Sequence, residues 1–533
     1  MASKQGSDQI ETRDTRPLLR EVTERNGFPN ESDETPANGK WWREVQPYST
    51  YVLFVLLLAY LFNQLDRYML AITIIPMAQE LKFGDQGCVR NESVKTFDHH
   101  IACNGTHEDS CLDILSPNHT SACKWDYNGQ GWDYQILAGP VFILIYTFAG
   151  IFIGFAADIY NRKLMLACCL SFWSAMTLLT GLVTEYWQLV ILRFGLGLGE
   201  AGCTPFAASL IADYFTQGMR GSAMGVYNFG IYFGYGLSYA LGNFITIANI
   251  NGQGWRWAFI IPGIPGILLG ILIAVTLREP ERSTKQGKKQ LEDSITTRPV
   301  HEDKIPWTTR LGRIFQTFLS PSLFLLCMAG SIRNAGGYVW AYNTQPYFEA
   351  TNVSKETVGS YMSWIPLVGG SLGVLFGGFI SDRVVKRRGL YARIIVLVVS
   401  QFLAAPFAAG ALFLDVPYAF ISLIPANILG EMWVGVTLAV VVELVPSHMR
   451  TSAVAFYLFI ISNIGGNVPL LVPLIEKSFE NNGYTKTESL RGALYILYPG
   501  LYIAGGLLFL LTMFVVKRDQ RRAQMEVVNM EEP

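Results

Sequence analysis

The sequence predicts an all-α polytopic membrane protein of twelve transmembrane helices, folded as two pseudo-symmetric six-helix bundles. Three observations carry that prediction: recurrent apolar runs, Lys and Arg gathered in alternate loops, and an internal repeat. Of 533 residues, 50% are hydrophobic and only 16% charged, whereas soluble domains carry about 25% charged residues. A net charge of −1 gives no footing for nucleic acid. No HExxH helix, P-loop or GxSxG elbow occurs, so no enzyme, cofactor or metal site is expected.

The apolar runs lie at about 50–75, 134–157, 164–184, 187–212, 222–248 and 256–277, and then at about 320–344, 357–380, 391–414, 417–442, 452–477 and 492–516. Most are roughly 21 to 27 residues long, enough to cross about 30 Å of hydrocarbon with some tilt. Polar residues interrupt the fourth, tenth and eleventh. The expected layout is a polar tail (1–48), a first bundle (49–278), a linker (279–319), a second bundle (320–516) and a basic tail (517–533). The first apolar run is long enough to span and follows a polar stretch, so no cleaved signal is expected.

Orientation follows from the cations. The loop at Arg162 and Lys163, the loop at Arg383, Lys386, Arg387 and Arg388, and the tail at Lys517, Arg518, Arg521 and Arg522 are basic, while loops 184–187 and 415–417 carry no Lys or Arg. Both termini are therefore expected in the cytoplasm. The loop over 82–133, on the other side, holds Cys88, Cys103, Cys111 and Cys123 and the sequons at Asn91, Asn104 and Asn118. A fourth sequon, Asn352, falls on the same side. Two disulfides are expected in an oxidising compartment, with three pairings open. His99, His100, His107 and His119 have no finger-like spacing, which favours disulfides over a metal.

The repeat is explicit. "GFAADIYNRK" (154–163) aligns with "GFISDRVVKR" (378–387), "DYFTQGMRGSAMGVY" (213–227) with "ELVPSHMRTSAVAFY" (443–457), and Gly199-Glu200 with Gly430-Glu431. The offsets are 224, 230 and 231 residues, as loop-length drift between two copies would give. Gly154-x-x-x-Asp158 with Arg162 and Lys163, and Gly378-x-x-x-Asp382-Arg383 with Lys386, resemble the cytoplasmic-loop signature of the major facilitator superfamily. Ile159 stands where that family usually has a basic residue, and Asn161 where it often has Gly. The resemblance implies two domains rocking about a central cavity. In physical terms, the Gly allows close helix approach, and the carboxylate can pair with Arg or accept from a helix N-terminus, forming a latch that breaks as the halves rock.

Arg193-x-x-x-Gly197-x-Gly199-Glu200-Ala201, with Asn63-x-x-Asp66-Arg67 and "WRWAFIIPGIPGILLGILIAVTLREP" (255–280), is similar to the spinster-like branch of that superfamily. The branch implies proton-linked export of lysolipids or sphingoid phosphates, often from late endosomes and lysosomes. The long cysteine-bearing first loop departs from its animal members. Gly197, Gly199 and Gly202 also satisfy a dinucleotide fingerprint, but within an apolar span Gly195 and Gly199 read as a helix-packing stripe.

Ionisable residues inside spans are costly and are functional hypotheses by default. Asp66 and Arg67 are about 100° apart on one helix and cannot pair well, so each needs another helix. Arg193 and Glu200 lie on one face, roughly 10 Å apart along the axis. Arg67 is expected to meet Glu200, and Asp66 to lie near Arg193 or titrate alone. Proton coupling through Asp66 or Glu200 follows if a carboxylate loses its cation as the cavity reorients; the competing reading is a static polar cluster. Arg333, with Asn334, Tyr338 and Glu431, is the candidate for an anionic headgroup, against simple Arg333–Glu431 pairing. Tyr227, Tyr232 and Tyr235 either line the cavity or pack.

Asp14, Leu18 and Leu19 have the form of a dileucine signal, which an adaptor reads to direct a protein to late endosomes or lysosomes; the plasma membrane is the alternative. The expected activity is proton-coupled transport of a lysolipid or sphingoid-phosphate amphiphile, the partners being bilayer, amphiphile and protons. A small organic-anion carrier and a non-transporting receptor or scaffold are the alternatives.

Overall fold

The computed structural model describes residues 47–91, 103, 105, 107–115, 121–215, 219–280, 312, 315–388, 390–445 and 450–531. Chain contacts divide the protein into Met1–Pro47 and Tyr48–Pro533, and every described residue but Pro47 belongs to the second unit. Asp14, Leu18, Leu19, Asn104, Asn118, most of 279–319 and the side chains of Asp158 and Lys386 lie outside the described residues.

Twelve helical columns follow one another among the described residues. Span one is Pro47–Leu81, and span two is Trp132–Ala138 with Pro140–Ile159. Span three is Arg162–Thr180, span four Tyr186–Glu200 with Cys203–Tyr214, span five Arg220–Ala248 and span six Gly254–Thr276. The second set runs Pro321–Ala350 (seven), Lys355–Met362 with Ile365–Arg388 (eight), Tyr391–Phe413 (nine) and Tyr418–Glu431 with Trp433–Leu444 (ten). Span eleven is Arg450–Asn467 with Leu471–Asn481, and span twelve Lys486–Leu497 with Pro499–Glu531.

The polar interruptions have structural counterparts. Span four breaks just after Glu200 and span ten just after Glu431, so the repeated Gly-Glu pair ends a helical segment in both halves. Ten columns are apolar enough to cross a membrane by composition; spans five and seven are not. Those two hold Tyr227, Tyr232, Tyr235 and Tyr239, and Arg333, Asn334, Asn343 and Gln345, all buried or half-buried.

Small residues let the helices close up. Gly263, Gly266 and Gly270 of span six lie directly against Leu178, Ser174 and Ser171 of span three. Gly195 abuts Met176, and Gly199 the Phe172–Trp173 segment, so this glycine run is a packing surface rather than a nucleotide turn.

The face bearing the 82–133 loop is here the loop face, and the opposite one the basic face. In the loop, strands Gln86–Arg90 and Cys123–Tyr127 pair antiparallel. Of the three possible disulfide pairings the protein uses Cys88–Cys111 and Cys103–Cys123. Ala122, Ile114 and Trp125 pack around these bridges. Asn91 follows the first strand, its side-chain amide donating to the Ser121 carbonyl, and Asn352 occupies a left-handed turn (φ 63°) after span seven.

Candidate functional site

At mid-depth in the first half, Arg67 of span one donates to Glu200 Oε2 from Nε (3.2 Å) and a terminal nitrogen (2.9 Å). Glu200 is fully buried and Arg67 6% exposed. The guanidinium also lies over the rings of Phe142 and Tyr146, at 5.0 and 4.6 Å. Arg193 does not bond Asp66; it donates to the Arg67 carbonyl (3.3 Å) and faces Phe142. Asp66 is buried with neither oxygen hydrogen-bonded, as is the Trp173 Nε1 nearby. Thr177, Arg193 and Glu200 complete its electrostatic surroundings. Two arginines and two carboxylic side chains therefore share one buried cluster, with Arg67–Glu200 as the direct side-chain ion pair among them.

The second half repeats the pattern between the corresponding helices. Arg333 of span seven donates to Glu431 of span ten (3.2 Å) and to the Gly430 carbonyl (2.7 Å). Its guanidinium lies over Tyr502 at 4.0 Å and Trp433 at 5.6 Å. Arg333 is 1% exposed, whereas the Glu431 side chain keeps 25% of its surface. Asn334 instead ties span seven to the Ile461 carbonyl of span eleven.

Tyrosines carry each pair toward the other half. Tyr232 of span five donates to Glu431 Oε2 (3.4 Å), and Tyr338 of span seven sits beside Arg67. Tyr227 is fully buried and stacked on Tyr60, which makes it packing, while Tyr235 lies at the seam with the second half's core.

Toward the loop face the halves are joined. Asn243 and Gln345 exchange hydrogen bonds of 3.2 and 2.9 Å. Gln135 donates to Asn343 (2.9 Å), Thr147 to Asn463 (2.9 Å) and the Tyr134 hydroxyl to the Tyr342 carbonyl. Gly236 of span five lies against the Ser363 carbonyl and Leu367 at span eight, and Gly370 against the Tyr232 ring.

Toward the basic face the same helices diverge. Gly225 and Gly378 lie about 11 residues, or three turns, beyond the Gly236–Leu367 contact and on the same helix faces. Among the described residues, a Cβ on either would meet nothing within 4 Å. The same holds for Gly154, on the face of span two that carries Thr147 to its contact with span eleven. Two of the three positions are the glycines of the repeated loop motif.

At the basic face each half is latched internally. Arg162 donates to Asp213 at the end of span four (2.5 Å) and to Glu279 after span six (2.8 Å). Glu279 also accepts from the Lys163 amide (3.0 Å), and Lys163 Nζ reaches the Leu277 carbonyl (2.8 Å). In the second half Arg393 binds Asp382 (2.7 Å) and Glu443 (2.8 Å), while Arg383 is exposed near the Phe379 ring. The motif alignment pairs Arg162 with Lys386, but by its contacts the counterpart of Arg162 is Arg393, 231 residues on. Asp213, Glu279, Arg393 and Glu443 are the residues that motif reading missed. The acid shared by positions 213 and 443 in the repeat was the signal available for two of them.

Residues 56–468 match the family model of the Major Facilitator Superfamily. A sphingosine-1-phosphate transporter of Danio rerio is 28% identical over 412 residues, 74% of this chain and 80% of its own length. Protein spinster homolog 1 of Xenopus laevis is 28% identical over 73% of this chain and 75% of that protein. The crystal structure of a bacterial homolog of the human lysosomal transporter spinster, inward-facing and unoccupied, superposes with a TM-score of 0.63 at 22% identity. The match covers 89% of this chain and 98% of that one.

Proposed function

Because the chain belongs to the Major Facilitator Superfamily, in its spinster-like branch, we propose that this transporter carries a lysolipid or sphingoid-phosphate amphiphile by alternating access coupled to protons. The observation that supports this most strongly is the cluster of Asp66, Arg67, Arg193 and Glu200, buried inside the first half with Arg67 beside Tyr338 of the second. Binding a proton removes the desolvation cost of a bare buried carboxylate, and releasing it to a cation that swings close restores the pair. Asp66, with neither carboxylate oxygen paired, is the carrier in this conformation, and Glu200 takes over when a shift of span one against span four, within the first half, withdraws Arg67.

With the basic face assigned to the cytoplasm by its Lys and Arg, the joined loop face and diverging basic face support reading this conformation as inward-open. Rocking then closes the Gly154 and Gly378 surfaces and parts Asn243 from Gln345. In the second half, the accessible edge of Glu431 and the Arg333 guanidinium offer one acceptor and one cation to a zwitterionic or phosphate headgroup. The likeness to a sphingosine-1-phosphate transporter supports an amphiphile with such a headgroup. Lipid and metabolite profiling of cells lacking the protein tests the substrate class. Lysolipids or sphingoid phosphates are expected to accumulate; accumulation of polar anions alone, or of neither, contradicts this reading.

A further inference from the structure

The disulfide-bonded loop has a mechanical connection that the transport site does not use. Its paired strands are anchored to the first half: the Gly84 amide donates to Asp133 (2.9 Å), the Asp85 amide to the Gln130 carbonyl (3.1 Å) and Lys124 to Gln79 of span one (3.3 Å). Gly129 packs on Ile74 and Ile75 at the end of span one. The two disulfides tie the strand carrying Gln86 to Cys111, and its partner strand to Cys103. The ribbon is thus braced as a rigid arm of the first half.

That arm crosses to the second half. Lys486, the first residue of span twelve, donates from Nζ to the Gln86 carbonyl (3.1 Å). On the same side, Glu476 of span eleven is buried and its carboxylate faces Lys486, Glu480 and Asp85. Asp85 belongs to the arm, whereas Glu476, Glu480 and Lys486 belong to the second half, so charged groups of both halves meet here. Beneath the arm lies a cavity of about 1360 Å³, walled by Glu80 and Trp255 of the first half and by Glu349, Lys355 and Glu480 of the second. Arm and second half thus face each other across this space.

We infer that the first loop is a clasp which, through Lys486 and the Gln86 carbonyl, holds the loop-face gate shut and biases the transporter toward the state seen here. Opening that gate must carry Lys486 away from Gln86, because the arm moves with the first half. Loss of the Lys486 charge removes a charge-assisted hydrogen bond that joins the two halves, which favours opening.

This inference rests on the alternating-access reading, and one experiment separates the two. Thr184 and Asp415 are exposed on equivalent loop-face turns of the two halves, so spin labels on T184C/D415C report the opening of that face once the free Cys168, Cys169, Cys203 and Cys327 are replaced by Ser. In that background in nanodiscs, two distances are expected, the shorter more populated. Lys486→Met is expected to raise the long-distance fraction about 3- to 10-fold, and Lys486→Arg to restore the original ratio. Cys88→Ser with Cys111→Ser should shift the ratio the same way as Lys486→Met, by unbracing the arm. A single distance under all conditions of pH and lipid would overturn alternating access itself. Two distances in a ratio unmoved by Lys486→Met, or moved equally by Lys486→Arg, would overturn the clasp alone.

Discussion

Replacing Arg67 with Met is expected to lower stability by about 3–5 kcal/mol, because it leaves the fully buried Glu200 carboxylate without its cation. The guanidinium's contacts with the Phe142 and Tyr146 rings go with it. Adding Glu200→Gln to the same chain removes the stranded charge, so most of the lost stability should return. Transport should not, since the pair is asked to break and re-form with each cycle. Thermal unfolding in detergent, followed for the single and double variants, reads the first part, and uptake into proteoliposomes the second. A double variant that is stable and transports normally would make the pair a static strut, the competing reading that the sequence leaves open.

Filling the diverging face should do the opposite: little harm to folding and a large loss of transport. Among the described residues nothing lies within 4 Å of where a Cβ on Gly154 or Gly378 would project, so Gly154→Leu and Gly378→Leu are expected to be accommodated in this conformation. In the alternate state the same surfaces must close on spans eleven and five, and a branched side chain wedges them apart. Transport by the Gly154→Leu/Gly378→Leu protein is expected to fall at least about tenfold, with unfolding temperature close to wild type. Normal turnover would mean that those faces never pack together, and the rocking geometry would be wrong.

The contact between Arg67 and Glu200 was legible because helix geometry leaves few choices: adjacent charges cannot pair, and span four offers the complementary set. Asp66 was less legible, since whether Arg193 turns toward it or toward the Arg67 carbonyl depends on packing against Phe142 that no periodicity encodes. Arg393 was hidden by the loop before span nine, whose extra residues slide the repeat from an offset of 224 to 231 just where the arginine falls. The pairing of four cysteines is undetermined by their spacing and is read only from the folded loop, where Cys88 meets Cys111 and Cys103 meets Cys123. Spans five and seven carry the weakest hydropathy for the reason that makes them informative: their tyrosines and amides meet the opposite half.

The most direct test of the central claim is proton movement measured alongside substrate. Purified protein in liposomes enclosing a pH-sensitive dye would receive a lysophospholipid or a sphingoid phosphate from outside. Wild type is expected to show proton flux that starts with substrate addition and scales with substrate transported, and Asp66→Asn with Glu200→Gln is expected to abolish that flux. Substrate crossing the membrane with no accompanying proton movement, or a flux that survives both substitutions, would contradict the account.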